Sequence, residues 1–297
     1  MLYKYIKGVN QLANKKDINE NKNETDKVFR KVVLSWYPGH MAKTKRQIIE
    51  DLKLIDIVVE VLDARIPISS QNPDVREYIK EKKKIMVLNK SDLANEIETK
   101  KWVKYFNKQG MSAIITDANS GKGINEVILE IKNIAKQNQE KYIEKGRVGK
   151  SVRVLILGIP NVGKSSFINR VTKKSSAQVG NRPGVTRQKQ WIRLADGIEL
   201  MDTPGVLWPK FESEEVALNL AYTGTIKDDI LEKVEVAFSL LKYLINNYEN
   251  NVIERYKIDK QELDNIMKQD IEENEKIYEI MRLIAKKRGA IISGRKN

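Results

Sequence analysis

Gly158-Ile-Pro-Asn-Val-Gly163-Lys164-Ser165 matches the pattern G-x(4)-G-K-[ST] at every fixed position. Such a segment is suited to one task. Its glycines let backbone N–H groups curl around phosphate oxygens, and the helix that follows adds the positive end of its dipole. Lys164 can reach the β- and γ-phosphates of a nucleotide, and the Ser165 hydroxyl can join the ligand shell of Mg2+. The apolar run RVLILG (153–158) predicts a strand before the loop, and Ser165 to Val171 predicts a helix after it. A chance Gly-Lys-Ser turn would lack that context.

Two further segments belong with this loop. Asp202-Thr203-Pro204-Gly205 closes an apolar run, 38 residues after Lys164. An acidic residue there can hold the Mg2+ shell, Asp202 through a water, and Gly205 can present a bare N–H to a γ-phosphate. Between them lies the polar stretch Arg182-Pro-Gly-Val-Thr186. Thr186 is the candidate for a switch hydroxyl that joins the metal, although another Thr of the loop could serve.

Asn89-Lys90-Ser91-Asp92 supplies a way to choose the base. A carboxylate is acceptor-only, so Asp92 can take the two adjacent donors of guanine, N1–H and N2–H2, which adenine lacks. Leaving that carboxylate unpaired would penalise the wrong base. Lys90 can lay its methylenes over the base plane, Asn89 can brace the loop, and Ser91 completes the motif. Asp117-Ala118 follows another apolar run, where a backbone N–H is positioned for guanine O6. With the phosphate loop contributing Asn161, Val162, Gly163, Lys164, Ser165 and Ser166, the ligand expected is GTP. The base-reading motif precedes the phosphate loop in the chain, a circularly permuted order that a compact domain with neighbouring termini tolerates.

Hydrolysis requires an oriented water, and many nucleotidases use a Gln after the D-x-x-G segment. Here Val206 and Leu207 follow Gly205, and neither can hydrogen-bond a water. The chain has one histidine, His40, in Pro38-Gly39-His40-Met41. It is the candidate catalytic group beside Lys164, the alternative being a helix-start or packing role.

The elements that must position these residues are short β-branched runs alternating with helical stretches. Strands are expected at 55–63, 84–90, 113–117, 153–158, 190–194 and 198–202, which gives an α/β fold, a three-layer and mostly parallel sheet. Function in such sheets gathers at the carboxyl ends of the strands. Residues 1–30 are largely polar, without periodicity over 11–27, and read as a disordered extension. The permuted domain is expected over 31–209. Over 210–297 the period becomes helical, with Val234, Phe238, Leu241 and Leu244 or Ile245 on one face. A second periodic stretch carries Leu263, Ile266, Ile277, Met281 and Ile284.

Composition narrows the partners. The 297 residues hold 54 Lys and Arg against 40 Asp and Glu, a net charge of +14. Of these, 15 basic and 17 acidic residues fall in 210–297, which leaves the first 209 residues at +16 and the remainder at −2. On charge alone the uneven excess reads either as a Lys-rich solvated surface or as a surface for a polyanionic partner. With no cysteine, a disulfide framework and a thiolate metal site are excluded. No apolar run is long enough to span a bilayer, and the first residues lack a secretory pattern. The expected protein is cytoplasmic, without membrane or DNA partners, and a monomer.

The chain resembles the ribosome biogenesis GTPase A (RbgA/YlqF) family of circularly permuted GTPases, from about Trp36 nearly to its end. The likeness rests on Trp36-Tyr-Pro-Gly-His-Met-Ala-Lys43, Asp63-Ala-Arg-Ile-Pro67, Asn89-Lys-Ser-Asp92, Gly158 to Ser165, Asp202-Thr-Pro-Gly205 and Leu207-Trp-Pro-Lys-Phe211. It implies late assembly of the large ribosomal subunit, rRNA binding, a helical C-terminal domain and a hydrolytic role for His40. It also implies a possible K+ ligand in Asn161. The alternatives are a small-subunit assembly GTPase, or a GTP-sensing RNA-binding module with little turnover. The 35 residues before Trp36 read as an extension or a misplaced start, and the end at Ser293–Asn297 as a shortened RNA-contacting tail.

Overall fold

In the computed structural model, the described residues are 46, 49–73, 79–174, 190–194, 196–203, 205, 211, 213–226 and 233–289. They fall into two compact units, one within residues 36–212 and one within residues 213–297. Among them no helix is long and apolar enough to cross a membrane.

The first unit is built on one sheet. In chain order its elements are β1 (Ile57–Asp63), β2 (Lys83–Asn89), α1 (Glu96–Lys108), β3 (Ser112–Ile115), α2 (Ile124–Glu144), β4 (Val152–Leu157), α3 (Lys164–Lys174), β5 (Gln190–Arg193) and β6 (Ile198–Asp202). The strand order is β3-β2-β1-β4-β6-β5, all neighbours parallel except the β5–β6 pair. Every residue of β1 is buried. A parallel strand covered on both faces needs such a continuous apolar run, and IVVEVLD supplies it apart from its two acids. All six expected strands form, with ends shifted by at most two residues.

The chain runs outward from β1 through β2 to β3 and then returns to place β4 on the other side of β1. That reversal is a topological switch point, where a crevice opens beyond the carboxyl ends of the strands. Asp63, Asn89, Asp117, Gly158 and Asp202 all lie at or just beyond those ends. The helices are fixed by ordinary rules. α1 is capped by Asn95, whose side chain accepts from the Glu98 N–H, and it turns Phe106 onto Leu62, Ala64, Met86 and Leu88. The helix expected at 165–171 runs on to Lys174, burying Phe167, Ile168 and Val171.

The second unit contains α4 (Glu214–Tyr222), α5 (Lys233–Tyr256), α6 (Lys260–Met267) and α7 (Glu273–Lys287). On α5 the expected Leu241 and Ile245 are buried, together with Val236 and Ala237, whereas Val234 and Phe238 of the same expected face are only half-buried. Phe238, half-buried, stacks on Tyr278 of α7 with ring centroids 4.5 Å apart. The second periodic stretch is two helices. Lys268 to Glu272 interrupts it, and Leu263 of α6 and Ile277, Ile280, Met281 and Ile284 of α7 are buried.

Candidate functional site

The phosphate loop joins β4 to α3. Gly163 has φ +89°, and a Cβ there would collide with the Asn89 side-chain nitrogen. Gly205 lies so close to the loop that a Cβ would meet Pro160 N at 2.9 Å. Glycine at these two places lets the base-reading and D-T-P-G segments close on the phosphate loop. Lys164 is buried, and its Nζ lies 2.6 Å from Asp202 Oδ1 while donating to the Thr203 carbonyl. Thr203 Oγ1 in turn donates to Ile156 O at 2.9 Å, which secures the end of β6 against β4. The loop lysine and the acidic residue 38 positions later are thus brought into direct contact.

Asn89 connects the two halves of the permuted order. Its Nδ2 donates to the Val162 carbonyl at 2.8 Å, across 73 residues. Its Oδ1 accepts from the Ala118 N–H at 3.0 Å and the Thr116 hydroxyl at 3.3 Å. One buried amide therefore ties the base-reading loop, the phosphate loop and the Asp117-Ala118 loop together. Lys90 adopts the left-handed conformation, φ 61° and ψ 36°, and Ser91 to Leu93 forms a 3-10 turn. Asp92 is exposed on that turn, as a carboxylate waiting for donors must be.

Asp117 is a brace. Its carboxylate turns back to accept from the amides of Asn119 at 2.8 Å and Ser120 at 3.2 Å. The Ser120 side chain first, and then those two amides and the Arg170 charge, hold its carboxyl below the usual range against the opposing effect of burial. Its own N–H donates to Lys122 O. Arg170 of α3 caps the same loop, donating to Ala118 O at 2.9 Å and to Asn119 O. A cavity of about 310 Å3 opens there, lined by Ala118, Asn119, Ser166, Asn169, Arg170 and Lys173.

Ser165, in the first turn of α3, Ser166 and Asn161 complete the loop; Asn161 sits at φ 62°. Among the described residues no three His, Cys, Asp or Glu side chains gather to hold a metal by themselves. The oxygens of Ser165 and buried Asp202 beside a phosphate-binding loop are instead the hard donors that suit Mg2+, with phosphate oxygens completing its shell. His40 and Thr186 lie outside the described residues, as do Arg182, Val206 and Leu207.

One group of charged residues was not assigned a role from sequence. Asp63, at the end of β1 and 1% exposed, accepts from Arg65 Nη2 at 2.6 Å, Arg65 Nε at 2.8 Å and Lys90 Nζ at 3.1 Å. Burial alone would raise its pKa; the Arg65 hydrogen bond and the charges of Arg65 and Lys90 outweigh burial and lower it. The signal available in the sequence was Asp63-Ala-Arg65, an acid and a base two apart at a strand end.

Comparison with known proteins agrees with this geometry. A family profile described as 50S ribosome-binding GTPase matches residues 153–285. The chain is 44% identical over 263 residues to Ribosome biogenesis GTPase A of Bacillus cereus, which covers 89% of this chain and 85% of that one. It is 34% identical over 237 residues to Mitochondrial ribosome-associated GTPase 1 of Xenopus tropicalis, covering 77% and 75% of the two. A GDP-bound structure of TM YlqF shares 28% identity at a TM-score of 0.50, covering 82% of this chain and 96% of that one.

Proposed function

This chain belongs to the ribosome biogenesis GTPase A family, circularly permuted GTPases that hydrolyse GTP, and from that premise we propose that it acts on the precursor of the large ribosomal subunit late in assembly, cleaving GTP to GDP and phosphate with Mg2+. The observation that carries the reading is Asn89. Its side chain joins the guanine-reading and phosphate-holding loops into one site despite their inverted order in the chain.

Each residue then has a task. Asp92 accepts from guanine N1–H and N2–H2, the Lys90 stem covers the base, and Ser91 and the Asp117-Ala118 loop close around it. Phosphate oxygens take the amides of Asn161 to Ser166 and the Gly205 N–H. Lys164 exchanges its carboxylate and carbonyl partners for β- and γ-phosphate oxygens. Ser165, Thr186 and, through water, Asp202 would hold Mg2+, which when bound neutralises charge developing on the phosphates. K+ beside Asn161 would add to that effect. His40 orients the attacking water, whose oxygen bonds to the γ-phosphorus as the bond to the β,γ-bridging oxygen breaks; its proton ends on the released phosphate. The +16 of the first 209 residues supplies cations for rRNA phosphates. Action in the cytoplasm as a monomer completes the proposal.

Sucrose-gradient co-sedimentation with purified large and small subunits, in a non-hydrolysable GTP analogue, tests the partner. Binding to large subunits only is expected, weakening steeply with salt; equal binding to small subunits overturns it. Retention of stoichiometric GTP after incubation with Mg2+, K+ and subunits would mark a sensor instead of a working hydrolase. His40→Ala is expected to keep GTP affinity and to lose about 10²-fold in turnover. If affinity and turnover fall together, His40 is structural.

A further inference from the structure

We propose that Asp63 and Arg65 are positioning residues for guanine recognition: from the end of β1 they hold the two charged members of the Asn89–Asp92 loop in the geometry that reads the base. The proposal rests on the reading that this loop contacts guanine, and it assigns the charged relay behind it.

The relay begins in the sheet. Asp63 is the register partner of Asn89, and the ladder continues past both strand ends through Ala64 N–H to Asn89 O at 2.8 Å. The Asp63 N–H donates to Ser70 Oγ at 3.0 Å, and that hydroxyl donates to Pro67 O at 3.2 Å, so the loop leaving β1 is locked to its root. The carboxylate is consequently a fixed point. It engages Arg65 by a two-pronged hydrogen bond and by the Arg65 amide at 3.1 Å, and it holds the Lys90 ammonium as well.

This has two effects on the base loop. Lys90 occupies a left-handed backbone conformation that a side chain with a Cβ rarely adopts. Its ammonium is anchored on a 1%-exposed acid, so the methylene stem between has a set course and is laid down before any base arrives. Arg65, only a quarter exposed, faces Asp92 closely enough for the two charges to interact. The cation that Asp92 meets on this side is thus itself oriented by Asp63. Two acids and two bases balance in charge, and none of the Asp63 contacts uses the carboxylate of Asp92, which stays available for the base. A purely stabilising pair would change stability without changing selectivity, so the two are measured separately.

Equilibrium titration of the full chain with a fluorescent GDP derivative, in competition with GTP, ITP, XTP and ATP, separates them. Asp63→Asn keeps the shape and removes the charge. It is expected to weaken GTP by about 10- to 100-fold, the range of a lost charge-assisted hydrogen bond, and to narrow the preference for GTP over ATP. In a Lys90→Met background the same substitution should weaken GTP affinity clearly less than it does alone, the remaining effect travelling through Arg65. Arg65→Met, at a partly exposed side chain, should narrow the preference for GTP over ITP, and it carries the test if Asp63→Asn fails to fold. A lower melting temperature with unchanged nucleotide selectivity overturns the proposal, as do independent, additive effects of Asp63→Asn and Lys90→Met. Asp92→Asn is the control. If it does not shift preference towards XTP, the base-reading assignment itself fails; if it does shift while the Asp63 and Arg65 variants stay selective, the relay alone fails.

Discussion

Among the described residues, the buried charged side chains are Glu60, Asp63, Asp117, Lys164 and Asp202, all in the unit of residues 36–212, whereas the helical unit buries only Thr225 among its polar side chains. The helical unit places its ion pairs at the surface: Lys242–Glu273 and Lys287–Glu262 join side chains between 34% and 56% exposed. Pairs of that kind contribute little, so packing of Leu241, Ile277, Ile280 and Ile284 sustains this unit. Buried charge costs desolvation free energy that apolar residues would avoid. Asp63, Asp117 and Asp202 stand at or just beyond the carboxyl ends of strands and Lys164 heads the helix after the phosphate loop, where the loops of the nucleotide site converge. The difference shows two ways to use an interior, one for cohesion and one for holding groups ready for a ligand.

Breaking the comparison begins with Lys164. Replacement by alanine removes the cation from a carboxylate that is 1% exposed. It should cost about 3–5 kcal/mol in unfolding free energy of the nucleotide unit, and it should abolish tight triphosphate binding. Denaturant unfolding beside a fluorescent GTP titration measures both; a variant that still binds GTP tightly contradicts the assignment.

A comparable loss of stability without loss of binding is expected from Ile280→Ala. That fully buried side chain of α7 should cost about 2–5 kcal/mol through the cavity it leaves. The isolated protein's GTP affinity should stay within about twofold, the spread expected of independent sites. A large fall in affinity would mean that the two units are not energetically separate.

The next effect is set by pH. Asp63 has a lowered pKa in the folded chain, so its stabilisation is present above the unfolded value of about 4 and is lost as pH falls through the lower folded value. The stability difference between the wild type and Asp63→Asn should be constant from neutral pH to about 5 and should shrink below about 4. Unfolding curves across that range check the sign; a gap that widens in acid would contradict it.

The smallest effect belongs to Ser213, whose side chain accepts from the Val216 N–H at 3.2 Å to cap α4. Ser213→Ala should cost about 1 kcal/mol, visible in the same unfolding curves and absent from nucleotide titrations.

Much of the fold was legible because the parallel sheet writes itself as apolar runs: β1 and β4 are nearly continuous Val, Ile and Leu, and β2 carries the run Ile85-Met-Val-Leu88. The phosphate loop was legible for a different reason, since its glycines and Gly163-Lys164-Ser165 have fixed spacing. What spacing did not reveal was partnership. Asn89 was expected to brace its loop, but its contact with Val162, 73 residues away, depends on β1 separating β2 from β4 in the sheet. For Asp117-Ala118 spacing suggested a backbone contact, and it gave no sign that the Asp117 carboxylate would brace the Asn119 and Ser120 amides. On α5 the expected Leu241 and Ile245 are buried, but Phe238, the largest apolar residue of its stretch, is only half-buried and meets the aromatic ring of Tyr278.

The position of β1 has a consequence for how the chain is made. Synthesis proceeds from the N-terminus, so β1, β2 and β3 emerge before β4 exists. Until residues 152–157 are available, the flank of β1 that pairs Ile57 with Val154 and Val59 with Ile156 has no strand to receive it. A growing polypeptide thus carries an open, strongly apolar ribbon edge through the making of α2, the kind of edge that invites pairing with the wrong chain. Closure of that gap spans nearly 100 residues and is the slow, non-local event expected to set the folding rate. An assembly factor with this order of strands is itself a demanding assembly, and the open edge of β1 is covered only when β4 pairs with it.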